Sequence, residues 1–249
     1  MQESIEYGRY QLSLCEELRC IGISILLAAL ASWILYRASW GMLLGIIIFP
    51  LYRSNYRKEC ILNRKKVLLL QFRDGMQSVS VAILSGYSIE NAWLEGEKEL
   101  AELYGVNAYM TEEMRQMNRA VRMNQPVEQL LLGFAERADC EDITEFAEVF
   151  CYAKRNGGNF GKIIQNTVSR IGERMEVERE IETIISGKKM EQKIMNIVPI
   201  CLLGYLNLTS KEFLAPLYGN VFGACIMTIV FLVYLWALWL AGKMVDIKV

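Results

Sequence analysis

The sequence predicts an all-α integral membrane protein in which two transmembrane helical hairpins flank a cytoplasmic helical bundle of about six helices. Three observations predict it. Of the 249 residues 53% are hydrophobic, more than an ordinary soluble domain carries, yet 22% are charged, so the two kinds must be segregated. They are: of the 27 Lys and Arg, all but Arg9, Arg19, Arg37, Lys211, Lys243 and Lys248 lie between Arg53 and Lys193. That charged middle holds a single proline, Pro126, and almost no alternating β-branched run, so it reads as helix throughout. The chain divides into an N-terminal segment (1–19), a first hairpin (20–52), the bundle (53–193), a second hairpin (194–242) and a tail (243–249).

The first hairpin is nearly continuous apolar sequence, broken around Arg37 to Ser39, where a charge inside hydrocarbon is costly and a turn is natural. Its arms, 20–36 and 38–52, fall below the roughly 20 residues of an ordinary span, so a hairpin that dips in without crossing is the alternative. Ala29-Leu30-Ala31 imitates a signal-peptide cleavage site, but acidic residues precede the apolar run and apolar sequence continues past it, so the segment is expected to stay uncleaved. In the second hairpin, 194–208 contains Pro199, a polar connector covers 209–218, and 221–241 carries no charge and is long enough to span alone.

Orientation follows from the basic residues beside the spans. Arg53, Arg57, Lys58, Arg64, Lys65 and Lys66 follow the first hairpin, Lys188, Lys189 and Lys193 precede the second, and only Arg37 and Lys211 fall in the opposite turns. The bundle and both termini are therefore expected in the cytoplasm. The Arg53 to Lys66 cluster reads as topogenic charge in contact with membrane lipids rather than as a nucleic-acid site.

Within the bundle, apolar residues recur at helical spacing. Leu69, Phe72, Met76, Val79 and Ile83 form one stripe, which Gly86 closes, and Ser88 offers an N-cap to a helix bearing Ile89, Trp93, Leu100 and Leu103. A third helix carries Met110, Met114, Met117 and Val121, methionines best read as core filling. Asn124 is expected to cap a fourth helix, with Pro126 in its first turn and Val127, Leu130 and Phe134 on its apolar face. Asp139 is expected to cap a fifth, which carries Ile143, Phe146, Phe150 and Ala153 and ends in Lys154 and Arg155 before Gly157 and Gly158. A long sixth helix starts near Asn159 and carries Ile164, Val168, Ile171 and Met175, with Arg174 and Glu178 spaced for an i,i+4 contact. Its charge-rich stretch, 173–182, reads as a solvated face.

Chemistry is constrained by what the chain lacks. It has no histidine, which removes the commonest general base and zinc ligand, and its seven cysteines form no CxxC pair. No GxxxxGK[ST] phosphate loop is present, so any ATP hydrolysis belongs to a partner. No catalytic, cofactor or metal site and no enzymatic activity is expected. The acids Asp139, Glu141 and Asp142, the nearest thing to a catalytic cluster, begin a helix and read as dipole partners.

Three stretches carry a family resemblance. Leu84-Ser85-Gly86-Tyr87-Ser88-Ile89-Glu90-Asn91-Ala92 resembles the turn between the first helices of the type II secretion F domain. The segment from Asn124 to Phe134 is similar to that family's later helix start, with Asn124-Gln125-Pro126 in place of its usual glycine. The run ending Tyr152-Ala153-Lys154-Arg155-Asn156-Gly157-Gly158-Asn159-Phe160, followed later by Ile197-Val198-Pro199, resembles its double-glycine segment. A single copy of the domain between membrane hairpins resembles the tight-adherence (Flp, type IV pilus) branch. The resemblance implies an inner-membrane platform working with a hexameric secretion ATPase, a second platform paralogue or another copy of itself, and prepilin or pseudopilin subunits. Lys154 and Arg155 are candidate partner contacts. A membrane subunit of a small-molecule transporter is the rival reading, since spans with a cytoplasmic domain also fit a transport half-unit.

Overall fold

A computed structural model of the chain describes residues 6–8, 12–35, 44–157, 160–209 and 221–245. Among the described residues every regular element is a helix, eight in all, and there is no strand. In chain order they are α1 (Leu14–Leu35), α2 (Leu44–Leu84), α3 (Ile89–Tyr104), α4 (Tyr109–Arg122), α5 (Val127–Ala138), α6 (Glu141–Asn156), α7 (Phe160–Thr209) and α8 (Val221–Val245). The expected turns around Arg37 to Ser39 and at 210–218, together with Arg9, Gly158, Asn159, Lys211 and Lys248, lie outside the described residues.

The helices form two compact units. One comprises Met1–Gln11 and Arg57–Glu176, the other Leu12–Tyr56 and Val177–Val249. The first is a bundle of α3 to α6 with the C-terminal part of α2 and the N-terminal part of α7, so six helices contribute. Its core holds the stripes expected from the spacing: Phe72, Met76 and Val79 of α2, Trp93 and Leu100 of α3, Met110 and Met114 of α4, and Phe146 and Phe150 of α6 are all fully buried or nearly so. An aromatic chain runs through it. Phe72 meets Phe146 edge to face at 5.1 Å, and Phe150 meets Trp93 at 5.4 Å and Phe160 at 5.2 Å, separations at which ring quadrupoles attract.

Two glycines set the approach of α2 to α3. A Cβ on Gly96 would stand 2.8 Å from Val79 Cγ2 and 3.3 Å from the Gly75 carbonyl oxygen, and one on Gly75 would stand 2.6 Å from Leu100 Cδ1. Only the missing side chains let these helices pack so closely, because interiors at crystal-like density have no spare methyl-sized space.

Helix ends mostly follow the expected chemistry. Gly86 takes φ 92°, with its N–H donating to Ile83, and the Ser88 hydroxyl accepts from the Asn91 N–H at 3.3 Å. Gly157 takes φ 71° and its N–H donates to Ala153. Three expectations are corrected. Asn124 does not cap α5; it adopts φ 65° and closes α4 through its N–H to Val121, a left-handed role that asparagine tolerates. Pro126 is the N-cap of α5 and not part of its first turn: its backbone is extended (ψ 134°) and its carbonyl accepts from Gln129. Asp139 closes α5 at φ 48° instead of capping α6, whose N-cap is Cys140 without a side-chain bond.

The second unit contains α1, α8 and the remaining parts of α2 and α7. The arm expected at 194–208 is the end of α7, a helix of 50 residues with Pro199 inside, and the described part of the arm at 38–52 is the start of α2, a helix of 41 residues with Pro50 inside. The Tyr234 hydroxyl of α8 donates to the Asn196 carbonyl oxygen of α7 at 2.5 Å, and Arg53 of α2 pairs with Glu17 of α1. Much of the unit's apolar surface is uncovered: Leu18, Leu26, Met195, Leu202, Leu232, Trp236 and Trp239 are each 58–74% exposed.

Two helices combine the length and apolarity needed to cross a membrane, among the described residues: Tyr52–Leu84 (mean hydropathy 1.2) and Cys225–Lys243 (mean hydropathy 2.2). Burial separates them. Half of the apolar window in Tyr52–Leu84 is covered by protein, consistent with its supplying Phe72, Met76 and Val79 to the bundle core, whereas 6% of that in Cys225–Lys243 is covered. The latter leaves its apolar face to the surroundings, as suits a helix in lipid.

Candidate functional site

The most elaborate cluster of polar side chains in the bundle is organised around Tyr7, a residue of the N-terminal segment that belongs to no helix and is fully buried. Its backbone N–H donates to the Arg137 carbonyl oxygen at 3.0 Å and its hydroxyl donates to Glu113 Oε1 at 3.1 Å. The ring meets Tyr109 and Phe134 edge to face at 6.0 and 6.3 Å, and the Arg64 guanidinium lies 4.9 Å from the Tyr7 ring centre and 5.2 Å from that of Tyr109. Helices α2, α4 and α5 thus each contribute to one socket.

Glu113 is the electrostatic centre. It is 3% exposed, and Arg137 Nη2 donates to its Oε2 at 2.6 Å while Arg137 Nη1 donates to the Gly133 carbonyl oxygen at 3.0 Å. A buried carboxylate held by a guanidinium and a phenol is satisfied, where an unpaired one would be severely destabilising. Burial, then the Glu113 charge, pushes the Tyr7 phenol far above the ordinary tyrosine range, so it stays a donor at any physiological pH. Beside the socket, Lys65 Nζ donates to the Asp139 carboxylate at 2.6 Å and to its carbonyl oxygen at 2.5 Å, which helps hold Asp139 in its left-handed conformation.

The basic residues singled out from sequence therefore have diverse places. Arg64 and Lys65 are engaged inside the bundle, Arg53 pairs with Glu17, and Arg57, Lys58 and Lys66 are exposed. Lys154 of α6 reaches Glu128 of α5 at 2.8 Å, while Arg155 is exposed. Burial is the largest single influence on the Glu128 carboxyl and works to raise it, but the hydrogen bond from Lys154, a backbone hydrogen bond and the Lys154 charge together outweigh it and hold the group below the ordinary range. Arg174 does not make the expected i,i+4 contact with Glu178; it donates to Asp142 of α6 at 2.6 Å, a pair that ties α7 to α6. Of the thiols outside the apolar helices, Cys140 and Cys151 are both pushed up by burial.

Sequence reading passed over Tyr7, Glu113 and Arg137, although two of them left a signal. Glu113 interrupts the stripe of Met110, Met114 and Met117 on the same face, and Arg137 stands three residues after Phe134 on the apolar face of α5. A charge on a buried stripe announces a buried partner. Tyr7 left none, because no helix period frames it. No protein-family model, curated protein or solved structure matches this chain.

Proposed function

We propose that this chain is the inner-membrane platform of a type IV (tight-adherence, Flp) pilus or type II secretion assembly machine, coupling a cytoplasmic hexameric ATPase to prepilin or pseudopilin subunits. In this reading both hairpins cross the membrane, and the bundle and both termini face the cytoplasm. One observation carries it: within a single chain, a helical bundle that buries its own apolar residues shares two long helices, α2 and α7, with a unit whose apolar residues stay uncovered. The ordered motifs around Gly86, Pro126 and Gly157 support the same reading, since each falls at a helix boundary of that bundle. The role requires no catalytic residue of the chain's own, because a platform receives movement from the motor and passes it to helices that touch the subunits.

The test is gentle detergent purification of tagged full-length protein from its native cells, with identification of everything that co-purifies reproducibly. A secretion ATPase, a second platform protein or prepilins support the reading. A substrate-binding protein or a nucleotide-binding transport subunit in their place moves the assignment to a small-molecule transporter. Deleting residues 65–190 is expected to abolish filament assembly; assembly that persists without them refutes coupling through the bundle.

A further inference from the structure

The contacts of Tyr7 have the makeup of a peptide ligand in a pocket. One buried aromatic side chain, one side-chain hydrogen bond and one backbone hydrogen bond fix a segment outside all the helices to residues more than 50 positions away in sequence. Buried tyrosines ringed by aromatic and arginine side chains are the usual anchors of peptide recognition, because the ring supplies area and the hydroxyl supplies direction. The socket is also built to survive without its occupant. If Tyr7 withdraws, Glu113 keeps its ion pair with Arg137 at 2.6 Å, and Arg137 keeps the Gly133 carbonyl, so no buried charge is stranded. Among the described residues the buried Nε atoms of Arg64 and Arg137 have no hydrogen-bond partner, which leaves donors at the same place for the polar part of a ligand.

We propose that this socket is a recognition site for a tyrosine-bearing peptide segment, that Tyr7 is its internal ligand, and that Tyr7 leaves and re-enters it while the bundle stays folded. The site lies at the bundle end of the N-terminal segment, only a few residues before α1 begins at Leu14. Occupancy of the socket is thus a two-state property of this chain. The proposal does not depend on the platform reading and stands or falls separately.

Two measurements on the full chain in detergent micelles test it. In the first, a fluorescent peptide of residues 1–11 is titrated into wild-type protein and into Tyr7→Ala. Saturable binding at least tenfold tighter to Tyr7→Ala, lost when the peptide itself carries Tyr7→Ala and weakened when it carries Tyr7→Phe, supports the proposal. No binding to a folded Tyr7→Ala protein, or equal binding to both proteins, overturns it. The second measurement, deuterium uptake by wild-type protein, decides the matter even where Tyr7→Ala fails to fold. Exchange of the Tyr7 region at least tenfold faster than that of α4 supports a segment that leaves on its own; exchange of the two at one common rate shows a fixed part of the core and overturns it.

Discussion

The bundle and the apolar helices are built from the same residue types and differ in where they put them. Trp93, in the bundle, is fully buried against Phe150, while Trp236 of α8 is 62% exposed on a helix rich in exposed Leu, Ile and Val. The bundle solves the hydrophobic problem internally, with charged residues as its outer coat. The other unit leaves it to the surroundings, which is stable only where those surroundings are themselves apolar. One composition therefore encodes two solvents, and the comparison can be broken or sharpened by substitutions that mean opposite things in the two regions.

The largest contrast comes from truncating an aromatic ring. Phe150→Ala is expected to destabilise the bundle by about 3–5 kcal/mol, through lost transfer energy and the cavity left among Trp93, Phe146 and Phe160. Trp236→Ala is expected to change the stability of the detergent-solubilised protein by about 0.5 kcal/mol or less. Thermal or denaturant unfolding of both variants in one detergent checks the pair, and equal losses would erase the distinction.

A charge reverses the ranking. Val233→Lys on α8 is expected to cost about 2.5–3.5 kcal/mol of membrane insertion, read as the inserted fraction in a translocation assay. Val81→Lys, at a position 49% exposed on the bundle, is expected to leave both insertion and stability nearly unchanged. Next in size is Gly96→Ala, whose Cβ meets Val79 and the Gly75 carbonyl, and which is expected to cost about 1–3 kcal/mol by forcing α2 from α3. A melting temperature equal to that of the wild type would show that the helices separate freely.

The smallest effect is a pH dependence in the bundle. The Glu128 carboxyl is lower in the folded protein than in the unfolded chain, so its pairing with Lys154 stabilises above the unfolded carboxyl range and is lost as pH falls through the folded value. Solvent screening limits this to less than about 1 kcal/mol. Stability measured from pH 6 down to pH 3 is expected to fall less steeply in Glu128→Gln than in the wild type, and parallel curves would remove the pair from the account.

What could be read in the sequence was what adjacent residues decide. The stripes of Phe72, Met76 and Val79 and of Met110, Met114 and Met117, the stop at Gly86 and the cap at Ser88 each rest on a few neighbouring residues, and each stands in the fold as expected. Asn124 and Asp139 close the preceding helix instead of capping the next, a choice the sequence leaves open because both side chains suit an N-cap and both backbones tolerate positive φ; it depends on the carbonyls of Val121 and Ala135. Arg174 has acids within helical reach and across the bundle alike, and Asp142, only 14% exposed at its side chain, offers the drier and stronger partner. The Tyr7 socket was illegible for the same reason in stronger form, since Glu113 lies 106 residues away along the chain.

The cysteines turn the two-solvent design into an internal readout. Thiol-directed reagents need both a thiolate and access through water. Cys140 and Cys151 are held back by raised thiols in the bundle, whereas Cys201 and Cys225 are exposed on α7 and α8, where a bilayer would shield them from polar reagents. In intact membranes a water-soluble maleimide should therefore leave all four slow. Detergent and denaturant then act on different pairs: stripping lipid uncovers Cys201 and Cys225, and melting the bundle speeds the partly exposed Cys140 and Cys151. The order in which native thiols appear reports which of the two environments has been lost, without any label being introduced.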